Sequence, residues 1–178
     1  MKSLTTILMS VALATSVVAG PVGSAPKNAK APVAPAPAPA GCGCFGAGLS
    51  ADVFGGAYLP EFGDEVLGGG FGVSYFFNRN VGIDLNYGLY ATDKEHHQFD
   101  GNLILRAPID SLCIAPYLLV GGGVATNSVT RGNYQVGGGL DVRIPSASCL
   151  GVFAEGAYHF SAEEPDYTTV RLGLRIPF

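Results

Sequence analysis

The chain is short of charge and has no long apolar run beyond its N-terminus. Charged residues make up 13% of the 178 positions, about half the share usual in soluble domains. The net charge of −4 comes without a basic patch, which argues against nucleic acid as a partner. No later run approaches the roughly 18 apolar residues of a spanning helix. Helical periodicity is also absent, which excludes parallel βαβ units. Two classes of protein remain: a soluble protein with a large core, and a barrel that crosses a membrane with strands.

Residues 1–19 have the features of a secretory signal peptide. A positive charge precedes the apolar stretch at 7–18, and the small residues at 17–19 fit a cleavage site. A lone membrane anchor is the alternative, but the stretch is short and no stop-transfer charges follow it. Residues 20–43 consist mostly of Ala/Pro repeats, which favour polyproline II over a packed core. We therefore predict an exported chain with a linker at 20–43 and one domain at 44–178.

Segments with alternating apolar and polar residues recur from Cys44 to the C-terminus. We count eight, and each matches or exceeds the roughly 9–11 residues of a tilted membrane strand. The predicted fold class is all-β, an eight-stranded antiparallel up-and-down transmembrane β-barrel. The predicted strands are Cys44–Leu59, Val66–Phe77, Val81–Thr92, His96–Ala107, Cys113–Thr126, Arg131–Ile144, Leu150–Ser161 and Tyr167–Phe178.

The two faces of the predicted strands differ in polarity. Ile83 and Leu85 occupy one face of the third strand, with Asp84 and Asn86 on the other. A soluble, lipocalin-like barrel places its charges on the outside, but this polar face carries too few charges for a water-exposed exterior, and Lys does not occur after Lys94. We therefore expect the apolar face to contact lipid and the charges to pair inside. The predicted lumen network comprises Asp52, Asp84, Arg106, Asp141, Arg143, Glu155, Arg171 and Arg175.

The four cysteines all lie where odd-numbered strands are expected to begin, at one rim of the barrel. Cys113 and Cys149 open strands two apart, about 10 Å from each other, which exceeds the roughly 7 Å limit for a direct disulfide. Our hypothesis is that the exported tail folds back, so that Cys42 or Cys44 bonds Cys113 or Cys149 beneath the lumen. Free thiols and a zinc site of four thiolates are the alternatives.

Three motifs carry a likeness to a known family: residues 115–118 leading into the glycines at 121–123, residues 155–160, and the closing segment 168–178. The domain resembles the eight-stranded barrels of the outer-membrane protein A and opacity-type superfamily. The resemblance implies a bacterial outer-membrane location, with lipid around the barrel and the N-terminal tail in the periplasm. It also implies that Phe178 is an insertion signal and that the barrel-assembly machinery is a partner during insertion. Many relatives carry a peptidoglycan-binding domain after the barrel, and that function is not transferred.

Members of this family include structural proteins, adhesins and small pores. We interpret the chain as a non-enzymatic structural or surface-interaction protein of the envelope, without a cofactor. An eight-stranded barrel leaves an interior just wide enough for side chains to fill, so paired charges would close the lumen. A narrow pore for ions or small solutes is the alternative.

Two further motifs contain side chains that could carry chemistry, and the first gives a second alternative function, a lipid A deacylase-like hydrolase. His159 and Ser161 resemble the His-x-Ser motif of the outer-membrane lipid A deacylases, although Ala162 stands where that family has Asn and the last strand offers no carboxylate to orient the histidine. A second group, at the second outer loop, consists of Asp93, Glu95, His96 and His97. Adjacent histidines point to opposite sides of a strand and cannot easily share one ion, so a solvated loop is the simpler interpretation.

Overall fold

The computed structural model is a closed barrel of eight antiparallel strands in chain order. The predicted signal peptide and most of the linker lie outside the described residues, as do Asp93, Glu95 and Ala162. The structure describes residues 41–61, 63–91, 96–126, 129–161 and 165–178.

Each strand pairs with its neighbour in sequence, and the first and last strands pair with each other to close the ring. A single turn of 3-10 helix at Pro145–Ala147 precedes the seventh strand. Within the described ranges, no helix has the length and apolar character needed to cross a membrane. The strands are β1 (Gly48–Pro60), β2 (Val66–Phe76), β3 (Val81–Tyr90), β4 (His96–Arg106), β5 (Ile114–Thr126), β6 (Thr130–Ile144), β7 (Leu150–Ser161) and β8 (Tyr167–Pro177).

The predicted fold class is confirmed; most strand boundaries differ from the prediction by at most two residues, and the start of β1 needs a larger correction. β1 begins at Gly48 rather than at Cys44. The four residues before Gly48 cross beneath the barrel, where a disulfide holds Cys44 and the Phe45 ring is buried. Their side chains therefore do not follow the alternation of a paired strand.

The pleat of the strands puts polar residues inside and apolar residues outside. In β3, Asp84 and Asn86 are 2% and 7% exposed, whereas Ile83 and Leu85 are 41% and 66% exposed. Successive side chains of a strand point to opposite faces, so this polarity repeats around the ring. The exterior is thus apolar and the interior carries the charges, the reverse of a soluble barrel.

Two rims bound this interior. We call the rim where β1 begins the proximal rim, and the rim where β1 ends the distal rim. Because neighbouring strands are antiparallel, Cys113 and Cys149 both lie at the proximal rim, in the turns before β5 and β7.

Candidate functional site: a closed and charged lumen

Four charged side chains form a continuous chain of ion pairs in the proximal half of the lumen. Arg175 lies opposite Asp52 in the ladder between β1 and β8, and donates from Nε and Nη2 to its two carboxylate oxygens, both at 2.8 Å. Arg175 Nη1 also donates to Asp141 Oδ2 at 3.1 Å, and Arg143 Nη2 donates to the same oxygen at 2.9 Å. All four side chains are buried. Two carboxylates thereby offset two guanidinium groups, as buried charges require.

A glycine makes room for this cluster. Gly151 lies between Arg143 on β6 and Arg175 on β8 in the strand register. A Cβ atom at Gly151 would lie 3.1 Å from Arg175 Cβ and from Asp141 Oδ1. The missing side chain therefore lets two arginines and an aspartate share one level of a narrow lumen.

A second ion pair lies near the middle of the lumen. Glu155 on β7 and Arg171 on β8 are direct cross-strand partners. Arg171 donates from Nε to Glu155 Oε1 at 2.9 Å and also from Nη2 to the same oxygen. Tyr117 donates its hydroxyl to Glu155 Oε2 at 3.0 Å, and the Arg171 guanidinium lies 5.0 Å from the Phe54 ring centroid. The carboxylate is therefore held by three donors on two strands.

Two residues of the predicted network have other partners. Arg106 donates to the main-chain oxygens of Arg79 and Gly46, both at 2.8 Å, and its guanidinium lies 3.4 Å from the Phe76 ring centroid. Asp84 accepts a 2.7 Å hydrogen bond from Asn86 Nδ2. The ion pairs of the described ranges join other residues. Neither Arg106 nor Asp84 has an oppositely charged side chain within 4.0 Å there.

Uncharged and acidic side chains fill the distal half of the lumen. Gln98 Nε2 donates to Asp100 Oδ2 at 2.8 Å and lies 3.3 Å from His159 Nδ1. His159 Nε2 lies 2.9 Å from Thr169 Oγ1. These hydrogen bonds join β4, β7 and β8 across the interior, so this half is also occupied by side chains.

An aromatic cluster closes the distal rim. The Tyr58 ring lies 4.7 Å from Tyr167, 4.9 Å from His96 and 5.8 Å from Tyr90, centroid to centroid. Tyr167 also stacks on His159 at 4.3 Å. The sequence did not predict this cluster, because it depends on the stagger of the strands, which brings residues of β1, β3, β4 and β8 to one level.

The segment before β1 closes the proximal rim. The structure bonds Cys42 to Cys113 and Cys44 to Cys149, with Cα separations of 5.2 and 5.4 Å. Between the bonds and β1 the Phe45 ring turns into the barrel and is 5% exposed. The hypothesis of a tail folded beneath the lumen left the partners open, and the structure selects these two pairs. No cysteine is free in the described part of the chain.

The histidines of both chemically suggestive motifs lie near the distal rim, at the end of β7 and the start of β4. His159 is fully buried, and its ring nitrogens face Thr169 and Gln98 rather than Ser161. His96 points into the aromatic cluster, whereas Nδ1 of His97 lies 2.7 Å from the Tyr87 hydroxyl oxygen. Among the residues that the structure describes, no group of three or more His, Cys, Asp and Glu side chains could hold a metal ion.

Comparison with known proteins gives structural relatives at low sequence identity. No protein-family model matches the chain. No curated protein matches it in sequence. The N-terminal β-barrel domain of Pseudomonas aeruginosa OprF superposes with a TM-score of 0.58 at 18% identity, over 75% of this chain and 98% of that one. Neisserial surface protein A gives 0.55 at 14% identity, over 73% and 96%.

The outer membrane enzyme PagL also superposes, with a TM-score of 0.50 at 16% identity, over 71% of this chain and 99% of PagL. An enzyme thus shares this architecture, and the fold by itself does not decide between structural and catalytic roles. The closed ring of eight strands and these superpositions confirm the predicted fold class, an eight-stranded antiparallel up-and-down β-barrel like those of the two outer-membrane proteins.

Proposed function

We propose that the protein is a small outer-membrane barrel with a structural or surface-interaction role and a lumen closed to solutes. The observation that carries the proposal is the occupied interior: ion pairs fill its proximal half, hydrogen-bonded side chains fill its distal half, and aromatic rings cover both rims. A lumen of this kind holds the barrel together and leaves no wide aqueous path.

The apolar exterior supports a bilayer as the surrounding medium. Leu67, Leu118 and Tyr134 are 68–76% exposed, and leucine, valine and aromatic residues cover the outer face of every strand. Water around so large an apolar surface would be unfavourable, whereas hydrocarbon tails solvate it. We place the proximal rim in the periplasm, because the exported N-terminal tail enters the barrel there. The short loops of the distal rim would then form the cell-surface face.

Electrophysiology on the refolded protein tests the closed lumen. In planar bilayers we expect no large, steady conductance, because ion pairs and hydrogen-bonded polar side chains occupy the lumen and aromatic rings cover its two rims. Heat-modifiable migration of the same sample would verify that the barrel is folded. The double variant Glu155→Ala/Arg171→Ala is a useful comparison, since it empties the middle of the lumen but leaves both rims covered. Reproducible open steps from the unmodified protein would favour the narrow-pore alternative and contradict the proposal.

Insertion by the barrel-assembly machinery is part of the same proposal. Phe178 is 80% exposed at the proximal rim, and its main-chain N–H donates a 3.0 Å hydrogen bond to the Leu49 oxygen. An exposed C-terminal aromatic is available to a recognition partner without unfolding any strand.

A further inference from the structure

The segment before β1 is attached to the barrel more firmly by covalent bonds than by packing. Its two cysteines, Cys42 and Cys44, are joined to the turns before β5 and β7. Within the described ranges this segment has two hydrogen bonds to the barrel: Cys42 N–H donates to the Asp110 oxygen at 3.1 Å, and the Gly46 oxygen accepts from Arg106 at 2.8 Å. Both turn cysteines are in the left-handed backbone region, with φ of 55° at Cys113 and 61° at Cys149.

The one buried side chain of this segment lies over the proximal end of the lumen. The Phe45 ring is 5% exposed, with the guanidinium groups of Arg106 and Arg143 at 5.4 and 5.8 Å from its centroid. The Arg106 guanidinium also lies 3.4 Å from the centroid of the Phe76 ring. Removing the Phe45 ring would therefore open the proximal end of the lumen and expose Arg106.

We infer that residues 41–47 are a redox-releasable stopper, held in the proximal rim by the Cys42–Cys113 and Cys44–Cys149 disulfides and released by a dithiol. Without the disulfides, the Phe45 ring and two hydrogen bonds would have to offset the conformational entropy that is lost when the whole segment becomes ordered. Intact disulfides restrict the segment even when it has left the rim, so little further entropy is lost when it packs back into the rim. The packed state is therefore favoured only while the bonds are intact.

The release step is an ordinary thiol–disulfide exchange. Each protein disulfide accepts two electrons and two protons from the dithiol, which becomes a disulfide itself, and two cysteine thiols form on the protein. The barrel does not depend on this segment, because β1 begins after it and is paired along its length with β2 and β8. Release therefore opens a pocket at the proximal rim, while the aromatic cluster still closes the distal rim.

The absence of tryptophan from the chain makes a direct test possible. In the full-length protein refolded in detergent, a Phe45→Trp variant would carry the only indole. We expect blue-shifted emission and weak acrylamide quenching under oxidising conditions. Dithiothreitol should shift the emission to the red and raise the quenching, while heat-modifiable migration shows that the barrel stays folded.

Two controls distinguish release of the stopper from a general loosening of the barrel. A Phe160→Trp variant places the probe on the outer face of β7 and should not respond to dithiothreitol. A Phe45→Trp variant in which all four cysteines are replaced by serine should show the released signal in either condition. For the unmodified protein, hydrogen exchange at the Cys42 amide should accelerate on reduction, which covers the case in which an indole does not fit.

The inference fails if the introduced indole stays blue-shifted and protected after alkylation has shown four free thiols, or if the Cys42 amide of the unmodified protein exchanges equally slowly in both states. Neither result depends on conductance. A failure here therefore leaves the closed-barrel proposal standing, and a conducting barrel would leave the stopper standing.

Discussion

Asp52 and Arg175 lie directly opposite each other on the two strands that close the barrel, although 123 positions separate them in the chain. The guanidinium donates two hydrogen bonds of 2.8 Å to the carboxylate, and both side chains are almost fully buried. The pair therefore fixes the register of the closing seam from the inside.

Removing one member of this pair should destabilise the barrel strongly. An Asp52→Asn variant leaves Arg175 with one remaining carboxylate, and an Arg175→Met variant leaves Asp52 buried without a cation. We expect each to lower the free energy of unfolding by about 3–5 kcal/mol, the usual cost of breaking a buried pair. Urea unfolding in detergent, followed by heat-modifiable migration, measures the loss.

The exposed pair of Arg79 and Asp110 is the matched control for that experiment. Its side chains are 50% and 39% exposed, and their nitrogen and oxygen atoms lie 2.6 Å apart. Because water screens it, Asp110→Asn should cost about 1 kcal/mol or less. Equal losses of unfolding free energy at the two sites would show that burial of the Asp52–Arg175 pair adds nothing to its contribution to stability.

Two glycines on neighbouring strands should respond differently to the same substitution. A Cβ at Gly173 would point into the lumen, against the main-chain oxygen of Val53 and 2.7 and 2.8 Å from Phe153 Cε1 and Cζ. Gly173→Ala should therefore destabilise the barrel by about 1–3 kcal/mol through overpacking. At Gly156 the nearest atom would be 4.0 Å away, so Gly156→Ala should be neutral or slightly stabilising. Urea titrations of both variants check the difference, and equal stabilities would contradict the packing assigned to Gly173.

Phe178→Ala should separate assembly in cells from intrinsic stability. The variant keeps the main-chain hydrogen bond to Leu49, so refolding in detergent should change by only a few tenths of a kcal/mol. In cells, the amount of heat-modifiable barrel in the outer membrane should fall, since the proposed recognition signal is gone. Phe77→Ala, which removes another exposed aromatic at the same rim, is the control. Normal assembly of Phe178→Ala would rule out the signal.

The hydrolase alternative predicts an activity that we do not expect to find. His159 is engaged with Thr169 and Gln98 and is sealed inside the barrel. Membranes containing the protein should therefore deacylate lipid A no faster than membranes without it, and Ser161→Ala should make no difference. Deacylation that is present in the unmodified protein and lost in Ser161→Ala would establish the enzyme.

The sequence by itself determined the strands and the polarity of their faces. Alternation places Asp84 and Leu85 on opposite sides wherever the strand lies, since side chains of a strand have a period of two. A long run of such strands with an apolar face and few charges is compatible with a barrel in lipid. Position along each strand also placed the cysteines at one rim, because neighbouring strands run in opposite directions.

Only the tertiary structure decided which inward side chains meet. Closing the ring staggers the strands, so residues at one level come from different positions along each strand. That stagger pairs Asp52 with Arg175 and gathers Tyr58, His96 and Tyr167 at the distal rim, while Arg106 bonds to main-chain oxygens instead of a carboxylate. The path of the segment before β1 likewise decides that Cys42 bonds Cys113 and Cys44 bonds Cys149. Alternation fixes the face of a side chain but not its height in the barrel, and height determines its partners.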